Sequence, residues 1–109
     1  MMSLVVITGP RYGRLVIRSF RDRNAQRLFG RQPIPRWSDE LQRAALRKLR
    51  VLDAAERLDD LRVPPGNRLE RLRGDRAGQY SIRINDRWRI CFRWRSGDSS
   101  DVEIADYHG

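Results

Sequence analysis

The sequence predicts an α+β domain in which N-terminal helices pack on one face of a small antiparallel β-sheet. Its 109 residues suit one hydrophobic core. In the first half apolar residues recur every three or four positions, and in the second half they alternate with polar ones. The first pattern is typical of amphipathic helices and the second of half-buried strands. Helices followed by a run of strands indicate the α+β class.

Two helices are predicted before residue 64. Asp22 can cap a short helix over residues 22–29, with Gly30 as its end. Ser38 can cap a longer helix after a proline-containing linker. One apolar stripe on this second helix consists of Leu41, Ala45, Leu49 and Leu52. Residues 54–61 either extend it or form a separate turn, and the Pro-Pro-Gly at 64–66 ends any helix.

Short strands are predicted from alternation and turn residues. Residues 16–20 alternate before the helices, and residues 80–84, 88–95 and a last segment around 102–104 alternate after them. Residues 69–73 are a further candidate, which makes a meander of three or four strands. We expect the turn at Asn85 and Asp86 to use positive φ angles, which both residues tolerate. The apolar alternation gives the sheet one buried face for the helices to cover.

The first fifteen residues differ from the rest of the chain. Residues 4–7 form an apolar run that is too short for the usual secretory core of about 7–15 residues. We interpret residues 1–15 as a flexible extension or a mis-assigned start, and residues 16–109 as a single domain. No apolar run approaches the roughly 20 residues of a membrane-spanning helix, which predicts no membrane partner.

The charge of the chain indicates a polyanionic partner. There are 23 Lys and Arg against 14 Asp and Glu, a net charge of +9, and every cation except Lys48 is an arginine. Arginine suits phosphate, so nucleic acid is the simplest partner. Strand alternation places Arg83, Arg87, Arg89, Arg93 and Arg95 together on the face opposite the apolar one. The alternative is a solvated face on which Asp101 and Glu103 are the ion-pair partners.

The end of the chain offers acid–base chemistry. One cysteine and one histidine exclude a disulfide framework and make a structural zinc site very unfavourable. That histidine closes the segment Asp106-Tyr107-His108. Cleavage of RNA by its 2′-OH needs proton transfer and stabilisation of a charged phosphorane, which His and Arg supply, while Tyr can stack on a base. This set favours metal-independent chemistry with no cofactor. The alternative is a solvated terminal histidine without a role.

Four ordered segments resemble the HigB-type toxins of the RelE/ParE superfamily. They are Ile17-Arg18-Ser19-Phe20, the Leu72–Ile82 segment around Arg73-Gly74-Asp75-Arg76, Asn85-Asp86-Arg87-Trp88-Arg89-Ile90 and Asp106-Tyr107-His108. The resemblance runs from about residue 16 to 108, and it places the usual start of the family near Val16. It implies a RelE-like fold and a cytoplasmic toxin that cleaves translated mRNA in the ribosomal A site. It also implies a helix-turn-helix, HigA-like antitoxin partner.

The resemblance carries over to individual residues. It implies catalytic roles for Arg73, Arg89, Asp106, Tyr107 and His108. At position 70 this chain departs from the family, because Glu70 stands where many members have histidine. Glutamate can still be a general base, with an ordinary pKa near 4.3. The alternative for Glu70 is a salt bridge to Arg68 or Arg71. We expect RNA binding by Arg68, Arg83, Arg87 and Arg93.

Two questions remain open at this stage. In a regular last strand Asp106 and His108 point with Ile104 while Tyr107 points away, so one shared site requires a twist, bulge or strand end near Ala105.

Two other functions are alternatives to RNA cleavage. One is an inactive relative that only binds antitoxin or RNA, which the Glu70 substitution favours. The other is a gyrase poison, which the Asp-Tyr-His ending disfavours.

Overall fold

The computed structural model describes residues 16–106. The predictions for residues 1–15, and those for Tyr107 and His108, lie outside the described residues.

Both predicted helices are present with the predicted caps. Helix α1 spans Arg23–Phe29, and the Asp22 carboxylate accepts a hydrogen bond from the Ala25 N–H at 3.1 Å. Helix α2 spans Asp39–Ala54, and the Ser38 hydroxyl accepts one from the Leu41 N–H at 3.1 Å. These caps satisfy backbone donors that have no partner inside a helix. Residues 54–61 do not extend α2, because a separate 3₁₀ turn forms at Leu58–Arg62.

A four-stranded antiparallel sheet follows the helices, as the alternation predicts. Its strands are β1 (Glu70–Arg71), β2 (Tyr80–Arg83), β3 (Trp88–Arg95) and β4 (Asp98–Asp106), and they lie in that order. Each strand pairs with the next one along the chain, so the sheet is a meander.

The β2–β3 turn forms differently from the prediction. Neither Asn85 nor Asp86 has a positive φ angle. The Asn85 side-chain oxygen instead accepts hydrogen bonds from the N–H groups of Arg87 at 2.9 Å and Trp88 at 2.8 Å. A side-chain oxygen that imitates a backbone turn removes the need for the left-handed conformation.

The predicted strand at residues 16–20 is present only as two isolated parallel bridges to β4. Ile17 pairs with Ser99 and Phe20 with Val102. Between these bridges Asp101 has a φ of 52°, and the β3–β4 register shifts between Cys91 and Arg93. The extra residue in β4 is a β-bulge, which interrupts continuous pairing along that edge.

The core lies between the helices and the apolar face of the sheet. The stripe of α2 supplies Ala45, Leu49 and Leu52, all fully buried, whereas Leu41 is half-buried. The sheet supplies the buried side chains of Ile82, Ile84, Ile90, Phe92, Val102 and Ile104. The opposite face of the sheet is therefore the one that carries the arginines of β2 and β3.

Asp22 makes stability depend on pH. Its burial raises the pKa of the carboxyl from 3.8 to about 6. Between these two pH values the native state binds more protons than the unfolded state, so stability falls as the pH rises. We expect Asp22→Asn, which caps equally well without ionising, to gain stability relative to wild type between about pH 4 and pH 7. Urea unfolding of both proteins across this range measures the difference, and a difference independent of pH would contradict the account.

Candidate functional site

Arg89 lies near the start of β3, an internal strand of the sheet, with its guanidinium fixed in place. Its backbone pairs with Arg83 on β2 and with Ala105 on β4. The residue is only 8% exposed. Its Nε donates to the Ser81 hydroxyl at 2.8 Å, and its Nη2 donates to the Arg68 carbonyl oxygen at 2.6 Å. Alternation correctly predicts the face of Arg89, but the side chain is buried there rather than solvated.

Glu70 is the ion-pair partner of Arg89. Its Oε1 lies 3.6 Å from Arg89 Nη2, and the Glu70 side chain is 55% exposed. The salt bridge considered for Glu70 therefore forms with Arg89 and not with Arg68 or Arg71. The carboxylate faces solvent beside a buried guanidinium, which is a position that an incoming phosphate could take over.

A cleft of about 370 Å³ opens at this ion pair. It is lined by Arg68, Glu70, Arg83, Asn85, Asp86 and Arg89. Four of the predicted site residues therefore meet in one place. Asn85 and Asp86 also line the cleft and were not predicted to do so, although their position in the turn next to Arg83 could have indicated them. Arg83 forms a close ion pair with Asp86 across that turn.

Asp106 lies at the end of β4, next to Trp88. Its Oδ2 accepts hydrogen bonds from Arg87 Nε at 2.9 Å and Arg87 Nη2 at 2.7 Å. These bonds raise the pKa of Arg87 above its ordinary value. The Arg87 guanidinium also lies 5.2 Å from the centre of the Trp88 ring. Arg87 is thus held at the strand end and does not line the Arg89 cleft.

From Glu103 to Asp106 the last strand pairs regularly with β3. Ala105 pairs with Arg89 and Asp106 with Trp88, so Asp106 shares the side of Ile104, as alternation predicts. The β3–β4 bulge lies instead between the Arg93–Ser100 and Cys91–Glu103 pairs. Within the described residues there is therefore no bulge near Ala105, and β4 extends to Asp106. The prediction for Tyr107 and His108 lies beyond the described part.

Arg73 and Arg93 lie at the other end of the sheet. Arg73 follows β1, just after the hydrogen bond from the Leu72 N–H to the Gln79 carbonyl oxygen at 2.8 Å. Gln79 and Arg83 are four residues apart in sequence, which is about 13 Å along a strand. The predicted site residues within residues 16–106 therefore fall into three groups. One lines the Arg89 cleft, the second is the Arg87–Asp106 pair at the end of β4, and the third lies at the opposite end of β2.

Ion pairs neutralise arginines at the end of β2 that lies opposite the Arg89 cleft. Arg93 Nε lies 3.4 Å from an Asp101 oxygen, and Arg76 Nη1 lies 2.9 Å from Glu103. Asp101 and Glu103 are thus partners of arginines, as the solvated-face alternative predicts. The sequence analysis did not identify Arg76 as a partner.

Residues 16–106 contain no group of three His, Cys, Asp or Glu side chains placed to hold a metal ion. No helix in this part of the chain has the length and apolar character needed to cross a membrane.

The fold and the site define a small α+β protein with a buried arginine in a basic cleft. Residues 18–108 match the family model of HigB-like toxins, described as the RelE-like toxin of the type II toxin–antitoxin system HigB. The chain belongs to this family, which confirms the resemblance found in the sequence.

Curated relatives agree with this assignment. Toxin HigB-1 of Vibrio cholerae is 49% identical over 57 residues, 52% of this chain and 60% of that protein. An uncharacterized protein of Haemophilus influenzae is 34% identical over 64 residues, 59% of this chain and 63% of that protein. The chain thus spans less than two thirds of these two relatives. Endoribonuclease HigB of Proteus vulgaris is 30% identical over 101 residues, 85% of this chain and all of that protein (100%).

Proposed function

We propose that this chain is the toxin of a type II toxin–antitoxin pair and a ribosome-dependent endoribonuclease that cuts translated mRNA. Its cleavage uses the 2′-OH of the RNA as nucleophile and needs no metal ion. Its partner is a helix-turn-helix, HigA-like antitoxin, and it acts in the cytoplasm, where ribosomes translate. The name of the Proteus vulgaris relative, Endoribonuclease HigB, supports the activity.

The observation that carries the proposal is the fixed guanidinium of Arg89. Two hydrogen bonds hold it at the base of a basic cleft. A preorganised donor is most effective where negative charge develops in the transition state, because it does not have to reorient. In cleavage by a 2′-OH, this charge develops on the non-bridging oxygens of the phosphorane.

Proton transfer completes the reaction. A base removes the 2′-OH proton while the oxygen attacks phosphorus, the P–O5′ bond breaks, and an acid protonates the leaving 5′ oxygen. We assign the base to Glu70, whose carboxylate lies 3.6 Å from Arg89 Nη2 at the mouth of the cleft. Asp106 is a positioning residue, since two hydrogen bonds from Arg87 occupy it. His108 is assigned as the acid and Tyr107 as a stacking platform.

We assign the remaining arginines to bind phosphates of the RNA strand. Arg68 and Arg83 line the cleft and suit the phosphate next to the cleaved one. Arg73 lies at the opposite end of β2, so we assign it to a more distant phosphate of the same RNA, rather than to the scissile one. Arg87 and Arg93 already pair with Asp106 and Asp101, and a bound RNA would have to compete with these carboxylates.

The same Glu70–Arg89 ion pair favours a second candidate function. If RNA cannot displace the carboxylate, the chain is a catalytically inactive homologue that binds its antitoxin or RNA. Expression without antitoxin separates the candidates, because an active toxin arrests growth and cuts mRNA, whereas a binding module does neither. DNA damage in place of mRNA cleavage would instead identify a gyrase poison.

Glu70→Gln is the variant that tests the proposed base. It keeps the size of the side chain and removes its proton-accepting carboxylate. We expect cleavage of a reporter mRNA in a translating extract to fall by about 10²-fold, within the range of general-base catalysis. Primer extension on the reporter measures this fall.

Glu56→Gln is the matched control, because Glu56 is exposed, follows the end of α2 and does not line the Arg89 cleft. It should cut like wild type. Equal cleavage by Glu70→Gln and wild type would reduce Glu70 to an ion-pair partner of Arg89.

A further inference from the structure

A second cleft adjoins the Arg89 cleft on the other side of the β2–β3 turn. Its volume is about 470 Å³. It is lined by Ser38, Glu40, Leu41, Arg43, Ala44, Arg47, Ile84 and Asn85. Asn85 also lines the Arg89 cleft, so the two clefts meet at this residue. A single extended chain could therefore occupy both clefts by passing over the turn.

The two arginines of the second cleft form no ion pair within the described residues. Arg43 and Arg47 are exposed and four residues apart, so they lie on one ridge of α2. Within residues 16–106, no carboxylate lies within ion-pair distance of either guanidinium. Glu40, although it lines the cleft, is not paired with them. By contrast, Arg76, Arg87 and Arg93 each have a carboxylate partner.

Lys48 is influenced by arginines of both clefts. Burial lowers its pKa, and the charges of Arg47, which lines the second cleft, and of Arg83, which lines the first, lower it further. Positive charge from both clefts therefore acts on this part of the molecule, which favours a polyanionic ligand.

The remaining lining suits a nucleobase. Leu41, Ala44 and Ile84 provide apolar side chains. The Asn85 oxygen accepts hydrogen bonds within the turn, which leaves its NH₂ group as a donor. These side chains give a base apolar contacts and a hydrogen-bond donor for its edge, and the two arginines give its phosphate a charged partner. Hydrogen bonds to base edges and positive charge along the backbone are two elements of single-strand RNA binding.

We propose that the cleft between α2 and the β2–β3 turn is a second RNA subsite, in which Arg43 and Arg47 bind a phosphate of the strand whose scissile phosphate lies at Arg89. This inference rests on the proposed function and extends it, because it gives the substrate a path beyond the cleavage point. The path turns away from the sheet and continues along the first half of α2.

The test compares Arg43→Gln/Arg47→Gln with the control Arg23→Gln/Arg57→Gln. Both variants of the full chain lose two charges, but Arg23 and Arg57 are exposed and lie outside both clefts. The probes are fluorescent 2′-O-methyl oligonucleotides, which cannot be cleaved at the blocked 2′ positions. A dinucleotide reaches only the Arg89 cleft, whereas a hexanucleotide can reach both. Fluorescence anisotropy at several salt concentrations gives the affinity and its salt dependence.

We expect the log–log salt slope for the hexanucleotide to fall by about 0.7 in Arg43→Gln/Arg47→Gln, since the two arginines bind one phosphate and each neutralised phosphate of a single strand contributes about 0.7. The slope for the dinucleotide should not change, and the control should resemble wild type with both probes. Equal slopes for the two variants would overturn the subsite and assign the cleft to a partner other than RNA.

Failure of the subsite is distinguishable from failure of the proposed function. If wild type cuts a reporter mRNA and the Arg43→Gln/Arg47→Gln variant keeps the hexanucleotide slope, the subsite alone is wrong. If wild type neither cuts the reporter nor arrests growth, the proposed endoribonuclease activity is wrong. Thermal melting of all three proteins confirms that the variants are folded before either result is read.

Discussion

Arg89→Ala is expected to lower mRNA cleavage in a translating extract by about 10²–10³-fold, the usual effect of removing one preorganised oxyanion donor. Arg89→Lys should not restore it. A lysine has a single ammonium group and cannot bond Ser81 and Arg68 while presenting a planar fork to phosphate. Primer extension on a reporter mRNA at matched protein concentrations gives the ratio of rates.

The matched control for this prediction is Arg50→Ala. Arg50 is exposed on α2 and lines neither cleft, so this variant removes the same charge without touching the site. It should cleave like wild type. If Arg89→Ala and Arg50→Ala cut at the same rate while both remain folded, Arg89 is not the phosphate-binding residue.

Asp53→Ala is expected to cause the largest loss of stability, about 3 kcal/mol in the free energy of unfolding. Asp53 is 3% exposed, and its Oδ1 accepts hydrogen bonds from the N–H groups of Val16 at 3.2 Å and Ile17 at 3.0 Å. Without the carboxylate, two buried donors lose their partner. These bonds attach the segment at residues 16–17 to the end of α2.

Urea unfolding at neutral pH measures this loss, with Asp59→Ala as the control. Asp59 forms an exposed ion pair with Arg62, and such pairs contribute at most about 1 kcal/mol. A loss for Asp53→Ala no larger than that for Asp59→Ala would show that the buried carboxylate does not stabilise the fold.

The elements that the sequence predicted correctly depend on local chemistry. Asp22 and Ser38 cap their helices with their own side chains, and the α2 stripe follows from residue spacing alone. The antiparallel meander follows from short connections between alternating segments. Each of these features involves neighbours in sequence, so no knowledge of the tertiary fold was needed.

The features that were missed depend on contacts between distant residues. Asp53 lies in the last turn of α2, where a negative charge opposes the helix dipole, and its partners are 36 and 37 residues away in sequence. The bulge at Asp101 appears only when β3 and β4 are paired. Neither feature has a signal in the local pattern of residues.

The candidate site was predicted in part. Alternation identified the arginine face, and the family resemblance identified Arg89 and Glu70, which the structure places in one cleft. The separation of Arg73 from that cleft could not be read from the sequence, because it depends on the register of β1 on β2. The second cleft was also missed, since it joins residues of α2 to the β2–β3 turn.

The chemistry of the cut RNA ends tests the central claim most directly. Attack by the 2′-OH leaves a 2′,3′-cyclic phosphate on the upstream fragment and a 5′-hydroxyl on the downstream one. Fragments of a reporter mRNA from a translating extract should therefore accept a radioactive phosphate from polynucleotide kinase without prior phosphatase treatment. Fragments that carry a 5′-phosphate would show that water, and not the 2′-OH, is the nucleophile, and would contradict the mechanism built on Arg89.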